Sequence, residues 1–308
     1  MRIVRHPAPG QRDTALAIGS LDGVHRGHAA LIARVQAEAR ARGLESAVLT
    51  FEPLPREVLA PASAPARLTS LPERLRAFEA LGVETVFVQR FDARFAALAA
   101  EDFAGRLREL YRCRWVAVGE DFCYGSRRAG NVASLAAAGE RLGYEVEVIA
   151  SIECAGERVS STRVREALAR GDFALAETLL GRRYAITGRV MHGAKRGRML
   201  GFPTANVRLG RPKAALSGIF AVKCFGAATR GLEGVASLGI NPAVEDGGPA
   251  TLEAFLFDFS GDLYGRRLTI EFVKKLRDEA HFASLDLLAA QIRRDCEAAR
   301  EVFRAMGT

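Results

Sequence analysis

Thr14-Ala15-Leu16-Ala17-Ile18-Gly19-Ser20-Leu21-Asp22-Gly23-Val24-His25-Arg26-Gly27-His28 is the stretch whose reading decides the fold. It opens as a short apolar run and breaks at glycines. It then passes into a segment where Leu31, Ile32, Val35 and Ala39 recur at helical spacing and Arg34, Glu38 and Arg42 share a separate i, i+4 row. A buried strand, a glycine-bearing turn and a covering helix make one βα unit. The pattern repeats: residues 46–51, 84–91, 115–119 and 144–150 read as strands. Between them lie a helix opened by Ser70-Leu71-Pro72-Glu73 and closed at Gly82, another around residues 101–110, and a third ending near Gly143. The N-terminal half is therefore expected to be α/β, a parallel sheet with helices over it. The Ala/Pro-rich stretch 60–66 reads as a surface loop within it.

From about Tyr184 the texture changes to β-branched and aromatic runs broken by glycines: residues 184–190, 218–225, 234–238, 251–259 and 268–273. These predict a small antiparallel barrel. Leu285, Leu288, Ile292, Cys296 and Ala299 then line one face of a C-terminal helix expected to pack on that barrel. A chain of 308 residues suits two domains, expected here as 1–183 and 184–308.

Composition narrows the function. With 49% hydrophobic and 26% charged residues the chain is ordinary and globular. Its five cysteines are scattered without a C-x-x-C pair, which argues against a disulfide framework and a zinc knuckle and for a cytoplasmic location. No apolar core follows Arg2 and Arg5, and no apolar run approaches the ~20 residues of a membrane span, so neither export nor a membrane partner is expected. The net charge of +8 suits either nucleic acid or phosphate-bearing small molecules. The basic residues alternate with acids or sit beside glycines, so no nucleic-acid partner is expected. Nothing in the pattern indicates an oligomer.

The 19–28 stretch lies between a strand and a helix, where an open parallel sheet binds its ligands and a helix N-terminus offers free N–H groups to phosphate. Gly23 and Gly27 allow close backbone approach, and the imidazoles of His25 and His28, three residues apart, can both point into one mouth. Metal ligation or a surface position are the alternatives, but the three other histidines and five cysteines lie at no supporting spacing. H-x-G-H otherwise fits the nucleotidyltransferase signature, in which imidazoles stabilise charge on a transferred phosphoryl group. A second segment, Arg158-Val159-Ser160-Ser161-Thr162-Arg163-Val164-Arg165, places hydroxyls and guanidiniums at the start of a helix. Caps explain the hydroxyls alone; a bound triphosphate explains both.

Together, G-x-x-D-G-V-H-x-G-H and S-S-T-x-V-R resemble the Rossmann-like adenylyltransferase module of bacterial bifunctional riboflavin kinase/FAD synthetases. Residues 50–57 (T-F-E-P-L-P-R-E) and 118–125 (V-G-E-D-F-C-Y-G) fit the same family. The resemblance implies that ATP is held by Gly19, Asp22, Gly23, His25, Gly27, His28, Arg158, Ser161, Thr162 and Arg165, with His25 and His28 catalytic. It implies that Phe51, Pro53, Pro55 and Asp121 line a flavin site. The chain departs from the family pattern at Ser20, Leu21 and Leu54, where Asn, Phe and His are usual.

In the second half, Gly193-Ala194-Lys195-Arg196-Gly197-Arg198-Met199-Leu200-Gly201 is a basic glycine loop, and no G-K-[S/T] closes it as a Walker A. Glycine turns in a tight barrel are the alternative reading. Thr204 and Asn206, two apart on an extended segment, share a face and can both reach a hard cation. Glu253 lies in the otherwise apolar run 252–257, either as a proton acceptor or on the solvent face of an alternating strand; Asp258 is of opposite parity.

G-R-x-L-G-F-P-T-A-N resembles the riboflavin kinase signature. The resemblance implies that Thr204 and Asn206 coordinate Mg²⁺ of MgATP and that the loop carrying Gly193, Lys195, Gly197 and Gly201 covers its phosphates. It also implies that Glu253 is the catalytic base and that Arg277 contacts the flavin; a usual His is Phe255 here. The likeness spans about residues 14–303. It implies two ATP- and Mg²⁺-dependent reactions: riboflavin to FMN with release of ADP, then FMN to FAD with release of pyrophosphate.

Overall fold

A strand, Thr14–Ile18, and a helix, Arg26–Arg42, flank the 19–25 turn as expected. The computed structural model describes residues 1–7, 12–193, 197, 200–240 and 250–307. Within it the chain divides into two compact units, Met1–Pro65 with Leu71–Ser160 and Ala66–Ser70 with Ser161–Thr308.

The first unit runs β1 (Arg2–Val4), β2 (Thr14–Ile18), α1 (Arg26–Arg42), β3 (Glu45–Glu52), α2 (Pro55–Leu59), α3 (Leu71–Ala80), β4 (Thr85–Arg90), α4 (Ala93–Ala96) and α5 (Ala100–Glu109). It continues through β5 (Cys113–Gly119), the short hairpin β6 (Cys123–Tyr124) and β7 (Gly130–Asn131), α6 (Val132–Leu142), β8 (Glu145–Ile149), β9 (Glu153–Cys154) and β10 (Glu157–Arg158). Six strands form one parallel sheet in the order β1-β4-β3-β2-β5-β8. The four inner strands, β4, β3, β2 and β5, are covered on both faces and almost wholly buried, whereas the edge strands β1 and β8 are partly exposed. Ala15, Ala17, Val48 and Trp115 pack with Leu31, Ile32 and Phe78 on one side; Leu16, Leu49, Phe87 and Val116 pack with Phe103, Leu107 and Leu135 on the other. Strand order reverses between β2 and β5, which opens a crevice at their carboxyl ends.

The second unit holds α7 (Ser161–Arg170), α8 (Phe173–Leu180) and a closed barrel of β11 (Ala185–Met191), β12 (Ala205–Val207), β15 (Ala250–Leu256), β14 (Leu232–Ile240), β13 (Gly218–Phe225) and β16 (Arg267–Arg277), in that order and antiparallel throughout. The closing helix α9 (Leu285–Ala305) packs Cys296, Ala299 and Phe303 onto Ile219, Ala221, Val235 and Phe257. Leu285, expected in that stripe, is 60% exposed. The packed face starts at Ala289 and extends to Phe303, leaving the first turn outside it.

Two segments ahead of Tyr184 pack with the barrel. Phe173 of α8 meets the rings of Phe220 and Phe272 at 5.9 and 6.3 Å. Beyond the expected 60–66 loop, which holds a single 3₁₀ turn, Pro61–Ser63, the Leu68 carbonyl accepts from the Tyr184 hydroxyl (3.1 Å) and from Arg211 (2.6 Å).

Candidate active sites

The crevice of the parallel sheet is built by the loops after β2, β3 and β5. After β2 the backbone turns left-handed at Leu21, Gly23 and Val24, with φ of 48, 85 and 43°. For Leu and a β-branched Val that conformation costs on the order of 1–3 kcal/mol each. Both side chains are buried in the core beside Ile32, and this burial holds the turn. His25 then caps α1: its Nδ1 accepts from the His28 backbone N–H at 3.3 Å. Nδ1 is thereby an acceptor, so a neutral His25 carries its proton on Nε2. The His28 ring stacks on that of His25, centroids 3.5 Å apart. Two imidazoles thus sit at the positive end of a 17-residue helix.

Near the end of β3, Phe51 is buried against Phe91 and Phe95, with ring centroids at 5.8 and 5.9 Å. The Glu52–Pro53 peptide is cis, and Pro55 opens α2, where the Glu57 carboxylate accepts from the Leu54 N–H. After β5, Asp121 pairs with Arg158 at 3.1 Å, which brings an expected flavin residue and an expected ATP residue together. Ser161, Thr162 and Arg165 lie on α7 of the second unit, where Arg165 donates to the Ala66 carbonyl; the other expected ATP residues belong to the first unit.

Sequence reading missed Arg74 of α3. Its side chain is fully buried and donates to Ser20 O (2.7 Å), Thr50 Oγ1 (3.3 Å), Phe51 O (3.2 Å) and Glu52 Oε2 (2.6 Å). The available signal was its place among Leu71, Leu75 and Phe78, a cation on the apolar face of a helix.

In the barrel, Thr204 Oγ1 donates to Glu253 Oε2 at 3.0 Å, and Asn206 of β12 stands opposite Glu253 of β15. Hydroxyl, amide and carboxylate are therefore adjacent on paired strands, an all-oxygen set suited to a hard cation. Gly193 and Gly197 stand close to the segment that carries Thr204 and Asn206. A Cβ on Gly193 would fall 2.5 Å from the Asn206 amide, and one on Gly197 would clash with the Phe202 carbonyl. Gly201 has φ of 85°, and Lys195 lies outside the described residues. Phe255, where His is usual, packs edge-on against Phe202 at 5.4 Å. Asp258 falls beyond the end of β15, with φ of 53°.

Arg277 ends β16 and is held in a two-pronged ion pair by Asp295 of α9, at 2.8 and 2.7 Å, with the Phe282 ring 5.8 Å from its guanidinium carbon. Asp295, side chain 6% exposed, was also missed. Its signal is a carboxylate flanking the apolar stripe of α9 at Ile292 and Cys296.

Residues 8–163 match the FAD synthetase family and residues 180–303 the riboflavin kinase family. The chain is 47% identical to the bifunctional riboflavin kinase/FMN adenylyltransferase of Escherichia coli K12, over 95% of this chain and 94% of that protein. It is 45% identical to the protein of the same description from Pseudomonas fluorescens, over 95% and 94%. A crystal structure of a macrolide-efflux protein from Streptococcus pneumoniae shares the fold with a TM-score of 0.79 at 28% identity, covering 97% of this chain and 98% of that one.

Proposed function

The chain belongs to the family of bifunctional riboflavin kinase/FMN adenylyltransferases, and on that premise we propose how its residues divide the two reactions. The enzyme phosphorylates riboflavin to FMN with ATP, and adenylylates FMN to FAD with a second ATP, releasing pyrophosphate. No nucleic acid takes part in either reaction.

Adenylyl transfer belongs to the sheet crevice. The loop 19–28 and Arg158, with Ser161, Thr162 and Arg165, hold ATP, while Phe51, Pro53, Pro55 and Asp121 receive the flavin. The FMN phosphate attacks the α-phosphorus in line, so no protein nucleophile is required. His28 and His25, at the positive end of α1, stabilise the charge that develops on the transferred group.

Phosphorylation belongs to the barrel. Glu253 takes the proton of the ribityl hydroxyl as that oxygen attacks the γ-phosphorus, and Thr204 orients the carboxylate through its 3.0 Å hydrogen bond. Thr204 and Asn206 are the oxygen donors that would hold Mg²⁺, which when bound offsets charge on the ATP phosphates. The loop of Gly193, Lys195, Gly197 and Gly201 covers those phosphates, and Arg277 faces the flavin. By motif, the adenylyltransferase comprises residues 1–183 and the kinase 184–308.

Among the described residues no helix is long and apolar enough to cross a membrane, and all five cysteines are free thiols. We assign the enzyme to the cytoplasm on its family and its cysteine pattern.

The observation that carries this division is the separation of the two motif centres, the H-x-G-H loop in one compact unit and Thr204, Asn206 and Glu253 in the other. The test is chromatography of products from riboflavin, ATP and Mg²⁺. His28→Ala should accumulate FMN without FAD, and FAD output equal to the parent's would refute the assignment.

A further inference from the structure

Arg74 has no part in the chemistry just assigned, yet it is a fully buried cation whose fork joins the β2–α1 loop to the end of β3. One nitrogen, Nη1, reaches Ser20 O at 2.7 Å, in the β2–α1 loop six residues ahead of the helix that bears His28. The other, Nη2, reaches Phe51 O at 3.2 Å and Glu52 Oε2 at 2.6 Å at the end of β3. Thr50 Oγ1 closes the ring, accepting from Arg74 and donating to Ser20 O at 3.2 Å.

β2 and β3 are already paired, but their ladder ends at Ile18 and Leu49. Beyond it one more bond, from the Gly19 N–H to Leu49 O, is backbone to backbone; Ser20 then enters the turn while Thr50, Phe51 and Glu52 finish β3 against β4, and Arg74 with the Thr50 hydroxyl ties the two together. A guanidinium suits this position, because its planar fork satisfies acceptors on both sides at once, which an ammonium on a flexible stem does not. Glu52 supplies the countercharge that burial of the cation demands.

We infer that Arg74 is a positioning residue for adenylyl transfer, fixing the spacing between the ATP loop after β2 and the flavin-side residues after β3. The inference rests on the site assignment above. Each substrate still finds its own loop without Arg74, whereas in-line attack needs the two loops in register. The effect therefore falls on kcat more than on either KM. A misplacement of about 1 Å between reacting groups costs on the order of 100-fold in rate.

The test is steady-state FAD formation from supplied FMN and ATP, which bypasses the kinase, for Arg74→Met and Arg74→Lys. Folding of the same unit is read from Trp115, the single tryptophan, 2% exposed in its core. With native Trp115 emission, R74M should lose about 10- to 100-fold in kcat, with both KM values within about threefold, and R74K should recover only part of the loss. A natively folded variant with kcat within threefold of the parent, or a loss confined to KM, overturns the inference. Where R74M exposes Trp115, R74K decides by the same criteria. Exposure in both variants assigns Arg74 to folding alone and overturns the inference too. H28A in the same assay separates the two levels: parental activity there removes the site assignment itself, whereas an inactive H28A beside a fully active R74K removes only the role of Arg74.

Discussion

Replacing Glu253 with Gln tests the kinase centre with the least disturbance, because the two energies at stake differ in size. Among the described residues the carboxylate accepts one hydrogen bond, from Thr204 Oγ1 at 3.0 Å, and the amide oxygen of Gln can accept the same bond. A bond to a charged acceptor contributes roughly 1.5–3 kcal/mol and one to a neutral acceptor about 1, so the substitution removes about 1 kcal/mol of stability. That is a small part of the 5–15 kcal/mol of a typical domain, and the barrel stays folded. A positioned general base is worth about 10²–10⁴ in rate, which is about 2.7–5.5 kcal/mol of barrier. The loss of turnover should therefore far exceed any loss of fold. The assay is FMN formed from riboflavin, ATP and Mg²⁺, with FAD formed from supplied FMN as the internal control. FMN formation within threefold of the parent would refute the role of Glu253 as base, and an equal loss in both assays would refute the separation of the two centres.

Gly193→Ala should abolish FMN formation and spare FAD formation from FMN, because the added methyl falls 2.5 Å from the Asn206 amide; retained kinase activity would show that the loop is not seated over the site. A fragment of residues 184–308 should melt about 10 °C or more below one of 161–308, since it loses Phe173 from the Phe220–Phe272 cluster and burial of one Phe is worth about 3 kcal/mol; equal melting temperatures would show that α8 adds nothing. The Glu84 carboxylate is held below the ordinary glutamate range by the backbone N–H of Ser46, with partial burial opposing and the Ser46 hydroxyl and Arg12 assisting. Its contribution is present above the ordinary glutamate value and lost as pH falls through the lowered folded value. Glu84→Gln should thus weaken the first unit at neutral pH, the difference from parent closing in acid, as followed by Trp115 emission.

What could be read in the sequence is what short-range pattern encodes. The inner strands of the parallel sheet are apolar runs because both sheet faces are covered there, and the longer helices show buried stripes, so alternation made the α/β half legible; the edge strand β1 and the short helices α2 and α4, which bury no residue, carry no such signal. The barrel strands were legible by their glycine-bounded runs, except β12, whose three residues are too few for a period. The motifs themselves stand out because they concentrate polar and glycine residues in short spans. Arg74 and Asp295 were not legible, since Arg74 reaches Ser20, 54 residues away, and Asp295 pairs with Arg277, 18 away, and a single charge on an apolar stripe reads as an imperfection of the pattern until its partners are seen. Leu285 erred the other way: it has the right spacing for the packed face of α9, but the packed stripe starts beyond it.

The segment 161–183 shows why composition and packing divide this chain differently. Ser161, Thr162 and Arg165, at the start of α7, belong by motif to the ATP set proposed with His25 and His28. Val164, Ala167 and Leu168 on the same helix are buried, and α8 behind it delivers Phe173 onto the barrel phenylalanines. A helix has faces enough to serve both purposes: its first turn exposes backbone N–H groups whatever its flanks are packed against. The change of texture at Tyr184 marks where β-strand composition begins, which is a local property. The boundary of a compact unit is set by which surfaces are buried together, and here it falls at 160/161 with residues 66–70 added from far upstream. No single cut can therefore leave both halves whole. Cutting at 183/184 removes α8 from the barrel, and cutting at 160/161 removes three of the assigned ATP residues from the adenylylating half.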